Sequence, residues 1–137
     1  MSLSVQSISF GMAVPKRDNL QQPTFQYSNE LKTLFRKGLL PTVQVDVMGN
    51  KLTKKNVTLD HIIPKSKGGK NVTGNYMLAE KKFNWGRGNA PLTDWATYTG
   101  ILRYLNQFAG VRVRNFIGNN YIAEVLKTLE KANELGI

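Results

Sequence analysis

The chain has 137 residues, of which 19 are Lys or Arg and nine are Asp or Glu, so its formal net charge is +10 with its single histidine neutral. This length suits one domain with its own core, and the charge indicates a polyanionic partner, with nucleic acid ahead of membrane surfaces or acidic proteins. Cysteine is absent and no apolar stretch reaches the length of a membrane span, so we expect a soluble, cytoplasmic protein.

The first third of the chain predicts an arm followed by small elements. Residues 1–27 combine Ser, Gln, Gly and Pro without a sustained period, although 4–10 alternates well enough to form a strand. We interpret 1–27 as an N-terminal arm and 28–137 as the folded domain. Ser28 has the chemistry of an N-cap for a short helix. Residues 41–51 then alternate weakly before a Met-Gly-Asn turn, which predicts a small hairpin or knuckle.

The middle of the chain predicts a strand, a loop, a second strand and a helix. A short apolar run ends at Asp60 and His61, and a Pro and a Gly-Gly pair within 64–69 force a loop directly after it. A second strand-like run covers 76–79. Good helix formers continue it over 80–85.

The last third predicts two helices, with Thr93 as the N-cap of the first and Asn119-Asn120 as the cap of the second. Between them, 111–117 alternates Arg with apolar residues, which fits either a strand with a basic face or a connector between helices. Trp95 and Tyr98 fall at helical spacing, and such aromatic stripes usually lie in the core. The final helix could serve the core or a dimer seam.

Four side chains in the middle stretch have the types that metal-dependent hydrolysis of a phosphodiester requires. Asp60 offers a hard carboxylate ligand, and Asn84 offers an amide oxygen suited to Mg²⁺. His61 is the natural base for water, and Asn75 could hold the loop or a backbone group behind the imidazole and fix its tautomer. Because an Asp-His pair alone is usually a polar strand end without chemistry, the joint spacing carries this hypothesis.

The same stretch, 58–92, contains four spaced motifs: Asp60-His61-Ile62-Ile63-Pro64, Ser66-x-Gly68-Gly69, Asn75-Tyr76 and Asn84-x-x-x-Gly88-Asn89. Together they resemble the HNH endonuclease family, in which replacement of the last His by Asn is familiar. The resemblance implies an α+β domain with a ββα-metal finger at 58–92, packed by surrounding helices that come mostly from 93–137. It also suggests a phage or mobile-element protein in a bacterial host.

The resemblance further implies a role for each residue of the motif. Asp60 and Asn84 would hold one Mg²⁺ or Mn²⁺, and His61 would activate the water that cleaves DNA, leaving 5′-phosphate and 3′-hydroxyl ends. Asn75 is the middle residue of the His-Asn-Asn set. Cutting both strands needs two active sites, so a homodimer or sequential nicking remains open.

The chain departs from the family at a second metal site. Many members carry two CxxC pairs for a structural zinc, and alignment places Val45, Met48, Glu80 and Phe83 at those positions. Without cysteine we expect no structural zinc. A small hydrophobic cluster of the replacing residues is the expected substitute, because three of the four are apolar.

Six cations of the motif stretch are candidates for contact with DNA phosphates. They are Lys65, Lys67, Lys70, Lys81, Lys82 and Arg87. A basic RNA- or DNA-binding protein without catalysis would have the same charge, and it is the alternative interpretation. Asp60, His61 and Asn84 argue against it, because binding alone needs none of them.

Overall fold

The computed structural model describes residues 30–137, so the predicted arm, its strand at 4–10 and the Ser28 N-cap lie outside the described residues. Within 30–137 the chain forms four α-helices and two small antiparallel sheets, which confirms the α+β class. The helices are α1 (Glu30–Arg36), α2 (Lys81–Arg87), α3 (Tyr98–Asn106) and α4 (Gly118–Leu135). The strands are β1 (Val57–His61), β2 (Tyr76–Glu80), β3 (Arg112–Val113) and β4 (Phe116–Ile117). None of these helices is long and apolar enough to cross a membrane.

The β1–β2 hairpin is followed at once by α2, which confirms the predicted order of strand, loop, strand and helix. The strands pair antiparallel, with Asp60 opposite Met77 and His61 opposite Tyr76. The loop between them doubles back at Gly69, where an added Cβ would lie 1.7 Å from the carbonyl oxygen of Ile63. Only glycine permits so close an approach, so the Gly-Gly pair fixes the loop that follows His61.

Helix α2 begins after Glu80, whose carboxylate accepts hydrogen bonds from the backbone N–H groups of Lys82 and Phe83. An acidic cap satisfies these free donors and matches the positive end of the helix dipole. The helix ends at Arg87, two residues later than predicted, and is followed by Gly88, which has a φ of 53°. The extension places Arg87 one turn beyond Phe83, and both side chains are buried.

Helices α3 and α4 pack against the hairpin through two buried tyrosines. The backbone N–H of Leu78 donates to the Tyr104 hydroxyl at 2.8 Å, and the Tyr121 hydroxyl donates to the carbonyl oxygen of Tyr76 at 2.7 Å. The two hydroxyl oxygens lie 2.9 Å apart. Burial raises the pKa of both phenols, so they stay neutral and able to donate. The outer edge of β2 is thereby tied to the C-terminal helices.

The start of α3 differs from the prediction. Thr93 lies in a 3-10 turn, Leu92–Asp94, and α3 begins after Thr97, whose hydroxyl accepts a hydrogen bond from Gly100 N–H at 3.0 Å. The position is set by packing, because a Cβ on Gly100 would lie 2.4 Å from the carbonyl oxygen of Val47. The predicted Thr93 cap is therefore wrong.

The expected burial of Trp95 and Tyr98 is also wrong. Trp95 precedes α3 and is 39% exposed, with its ring packed over Gly86 of α2. Tyr98, the first residue of α3, is 46% exposed. Because the helix begins later than predicted, neither aromatic residue lies on its buried face.

Of the two interpretations of residues 111–117, the strand is correct: the segment forms the short β3–β4 hairpin. Helix α4 follows directly from Gly118, where an added Cβ would lie 1.9 Å from the carbonyl oxygen of Phe108. Asn119 does not cap the helix: its Oδ1 accepts a hydrogen bond from Gly110 N–H at 3.1 Å. The predicted Asn cap is wrong because this side chain fixes the preceding turn.

The predicted knuckle at 41–51 is present as a turn closed by a bridge between Val45 and Lys51, but a carboxylate organises it. The buried Asp46 accepts hydrogen bonds from the backbone N–H groups of Met48, Asn50 and Glu80 at 3.0, 2.9 and 2.9 Å. The expected hydrophobic cluster is not formed, since Met48 is 41% exposed and Glu80 caps α2. Asp46 connects the knuckle to the junction of β2 and α2.

Candidate active site

Asp60 lies near the end of β1 with 3% of its surface exposed, and its carboxylate forms an ion pair with Arg87. Nη1 of Arg87 lies 2.7 Å from Oδ2 of Asp60. The same guanidinium donates hydrogen bonds to the carbonyl oxygens of His61, Ile62 and Ala90 at 2.8, 2.7 and 2.9 Å. Arg87 therefore links α2 to the end of β1 and fixes the Asp60 carboxylate.

The interpretation of Arg87 as a phosphate contact is wrong. Its side chain is buried, at 2% exposure for the residue, and its guanidinium bonds within the protein. Burial raises the pKa of the Asp60 carboxyl above its ordinary value, and the charge of Arg87 is the largest effect that opposes this rise. Arg87 is thus a structural cation that pairs its charge with the buried Asp60 carboxylate.

Asn84 lies on α2 one turn before Arg87 and binds the same strand. Its Nδ2 donates to Oγ1 of Thr58 at 2.8 Å and to the carbonyl oxygen of Leu59 at 3.2 Å. Because a carbonyl oxygen can only accept, the amide nitrogen must face β1, and the amide oxygen faces away from the Leu59 carbonyl. Asn84 and Asp60 therefore both lie where α2 meets β1.

His61 is the last residue of β1, and two neighbours hold its half-buried imidazole. The ring packs edge-on against Tyr76 with centroids 4.8 Å apart, and Nε2 lies 2.9 Å from Oδ1 of Asn71. Since an amide oxygen only accepts, the neutral imidazole carries its proton on Nε2 and leaves the lone pair on Nδ1. Asn71 therefore selects the tautomer.

Two roles were expected for Asn75, to hold the loop or to hold a backbone group behind the imidazole. In the structure its side chain holds the loop. Asn75 is buried, and its Oδ1 accepts a hydrogen bond from Ile63 N–H at 2.8 Å. Its Nδ2 donates to the carbonyl oxygens of Ile63 and Lys70 at 3.0 Å each. Asn75 thus ties together both arms of the loop that begins after His61, while the hydrogen bond to the imidazole comes from Asn71.

The remaining five predicted cations are exposed on the loop and on α2. They are Lys65, Lys67, Lys70, Lys81 and Lys82. Nζ of Lys67 donates to the carbonyl oxygen of Asn89 at 3.1 Å, which joins the loop to the segment after α2. Exposed lysines at these positions are free to approach a polyanion, unlike Arg87.

The potential metal ligands in this region suit a cation that keeps most of its water molecules better than one that is bound by protein ligands alone. Residues 30–137 hold no cluster of three or more His, Cys, Asp or Glu side chains that could bind a metal ion. The predicted pair is one carboxylate and one amide oxygen, which is compatible with Mg²⁺ because that ion keeps several waters. Oδ2 of Asp60 is bonded to Arg87, and the two carboxylate oxygens together keep further acceptor capacity, so the Asp60 carboxylate would be the ligand.

Two residues of this region, Asn71 and Asp46, make contacts that the sequence does not predict. Asn71 stands in a polar loop where Asn is common, and nothing in its spacing from His61 shows that the side chain reaches the ring. Asp46 stands in a turn, where an acidic residue is ordinary. A carboxylate in the chain between two Val residues is the only signal that could have marked it as buried.

Comparison of the chain with protein-family models, with curated proteins and with solved structures gives no match.

Proposed function

We propose that this protein is a metal-dependent endonuclease of the HNH type that hydrolyses phosphodiester bonds in DNA. One observation carries the proposal: Asp60 and His61 end β1, and Asn84 binds that strand from α2. This arrangement is compatible with a ββα-metal finger and supports the proposal. A nucleic-acid-binding protein without catalysis would need none of the three side chains.

His61 acts as the general base in this proposal. Its neutral imidazole holds a proton on Nε2 against Asn71, so Nδ1 takes the proton of the attacking water. Asn75 keeps the following loop in place by bonding Ile63 and Lys70, which limits the positions that the ring can adopt.

Asp60 and Asn84 are the residues that would hold one Mg²⁺ or Mn²⁺. Such an ion supplies Lewis-acid stabilisation of the charge on the scissile phosphate and on the leaving 3′-oxygen. Arg87 orients the Asp60 carboxylate and neutralises it while no cation is bound. By the family resemblance the products carry 5′-phosphate and 3′-hydroxyl ends.

DNA is the proposed substrate because the chain has a net charge of +10 and exposes five lysines on the loop and α2. They are Lys65, Lys67, Lys70, Lys81 and Lys82. One chain holds one proposed active site and therefore nicks one strand. Double-strand cleavage requires a homodimer or two sequential events.

The test is incubation of supercoiled plasmid with the full chain in Mg²⁺, in Mn²⁺ or in excess EDTA. We expect nicked circles with either metal and none in EDTA. His61→Ala should lower turnover by about 10² to 10⁴-fold with DNA binding intact, because a positioned base contributes that much. Lys127→Ala, an exposed site on α4, is the matched control.

The metal ligands are tested in the same assay. Asn84→Ala and Asp60→Asn should both lose metal-dependent cleavage, and Asp60→Asn retains an oxygen that can accept from Arg87. Full cleavage in EDTA, or wild-type nicking by folded His61→Ala, would remove the mechanism. DNA binding without any cleavage by the wild-type chain would favour the non-catalytic alternative.

A further inference from the structure

The outer face of α2 carries the most exposed aromatic side chain of the described residues. Trp85 is 70% exposed, one residue after Asn84 and on the opposite side of the helix from the buried Phe83 and Arg87. Trp95 covers Gly86 and packs on Phe83 with ring centroids 5.8 Å apart. Trp95 thus fills the neighbouring surface without covering Trp85.

Lysines accompany this indole. The Lys81 ammonium lies 4.7 Å from the centroid of the Trp85 ring, one helical turn earlier, and Lys82 is exposed beside it. The cation–π contact holds the long Lys81 side chain and the ring together as a unit. We define Lys81, Lys82 and Trp85 as the stacking surface.

The composition of the stacking surface favours one kind of occupant. An exposed aromatic ring with a lysine ammonium over one face, and a second exposed lysine on the same helix, matches a strand of nucleic acid, in which a base stacks on the ring and phosphates meet the ammonium groups. Protein interfaces are depleted of lysine at their centres, which argues against a protein partner. The overall charge of +10 points the same way.

We infer that Trp85 stacks on an unpaired base of the bound DNA, so that the protein prefers single-stranded or locally unpaired DNA to continuous duplex. In a duplex both faces of each base already stack on neighbouring bases, so no base face is available to stack on the indole. Trp85 follows Asn84 on α2 with its side chain turned about 100° further around the helix, so the stacked base would lie along the outer face of α2, away from the Asp60–Arg87 side. This inference rests on the proposed DNA substrate but not on cleavage.

The experiment measures binding in EDTA, where no hydrolysis complicates the signal. The chain has two Trp residues, so Trp95→Phe leaves Trp85 as the only indole fluorophore while keeping an aromatic ring over Gly86. This variant is titrated with a short oligothymidine, with a duplex of equal length, and with an abasic oligonucleotide of equal length. The abasic strand has the same phosphates and no bases.

We expect the oligothymidine to quench Trp85 fluorescence and to bind about 5- to 100-fold more tightly than the abasic strand, which is the range for loss of one stacked base. Binding to the duplex should also be weaker. Trp85→Leu, which keeps an apolar side chain at an exposed position, should lose this advantage and bind both single strands alike. Trp85→Tyr should restore most of it. Because the variants at position 85 lack the reporting indole, their binding is measured by the fluorescence anisotropy of end-labelled oligonucleotides.

Three results would overturn the inference. Equal affinity for oligothymidine and abasic strand would leave charge alone as the cause of binding, and the proposed endonuclease would survive. Self-association of the chain that Trp85→Leu abolishes, measured by sedimentation, would assign the stacking surface to a second copy. Absence of binding to any oligonucleotide would remove the DNA substrate as well, while plasmid nicking tests cleavage separately.

Discussion

The imidazole of His61 has two nitrogen atoms, and one hydrogen bond decides which of them can take a proton. Asn71 occupies Nε2, so Nδ1 is the basic atom of the neutral ring. The expected orienting residue, Asn75, instead holds the loop backbone. Two asparagines therefore share a role that the sequence predicts for Asn75 alone.

Substitution of Asn71 tests this role. Asn71→Leu should lower turnover by about 10- to 100-fold, as loss of an orienting partner does elsewhere, because the ring is free to rotate or change tautomer. Asn71→Asp keeps an oxygen acceptor and should retain turnover. Its negative charge stabilises the protonated imidazole, so the acid limb of the pH–rate profile should move to higher pH. Equal loss in both variants would assign Asn71 to loop structure alone.

Arg87 has the same charge as the lysines near it in sequence, but its role is structural, because it pairs with Asp60. Five of the six cations around the motif are exposed, whereas Arg87 is buried and bonded to three carbonyl oxygens and one carboxylate. Burying a carboxylate without a partner would cost several kcal/mol. The pair therefore joins α2 to β1 and permits an acid at a buried position.

Removal of the guanidinium should make folding stability strongly dependent on pH. Arg87→Met should lower the free energy of unfolding in neutral buffer by roughly 3 to 5 kcal/mol, since Asp60 is left buried and unpaired. Its folded pKa, already raised from 3.8, rises further when the opposing charge is gone.

The sign of the effect follows from proton binding. The folded state then holds the proton more tightly than the unfolded state, so stability falls as pH rises from about 3.8 through the folded pKa. Urea unfolding in mildly acidic and in neutral buffer measures it. Adding Asp60→Asn should abolish the extra pH dependence, and an equal loss in both buffers would contradict the argument.

At the scale of elements, Asp46 joins two pieces of chain that are far apart in sequence. One carboxylate bonds two backbone N–H groups of the knuckle and the Glu80 N–H, where β2 passes into α2. A buried charged acceptor can hold these backbone groups because each is a donor that needs a partner.

Asp46→Asn should therefore destabilise the fold. The change replaces one acceptor oxygen by an amide group that faces backbone donors, and loss of hydrogen bonds to a charged group costs roughly 1.5 to 3 kcal/mol. Met48→Ala, in the same turn but exposed, should stay within about 0.5 kcal/mol of wild type. Urea unfolding of the two variants compares them, and similar stability would show that the carboxylate is dispensable.

The elements that local signals define were predicted, and those that packing defines were not. The turn at Gly69 and the alternation around it gave the hairpin and α2. The starts of α3 and α4 depend on Gly100 and Gly118, each closer to a distant carbonyl group than any side chain allows. Such contacts are absent from the local pattern, so Thr93 and Asn119 resembled caps without being caps. Burial of Arg87 was hidden for the same reason.

At the scale of the whole molecule, the positively charged side chains of the described residues fall into two classes: one is buried and stabilises the fold, and the others reach solvent. Within residues 30–137, Arg87 is buried in an ion pair, while the lysines of the loop and α2 are exposed. Only exposed cations can displace counterions from a bound polyanion, so only they should govern how salt affects affinity. The net charge of +10 therefore overstates the number of phosphate contacts that a bound DNA could make.

The salt dependence of DNA binding separates these classes of charge. Lys67→Gln and Lys82→Gln should each reduce the slope of log affinity against log salt concentration by about 1, and weaken binding equally across DNA sequences, since phosphate contacts carry no sequence information. Lys127→Gln on α4 is the control with the same charge change, and its slope should match wild type. If all three variants shift the slope alike, binding depends on net charge alone and the loop and α2 are not the interface. A shift for Lys67 and Lys82 only would place the phosphates along the two segments that flank His61 and Asn84.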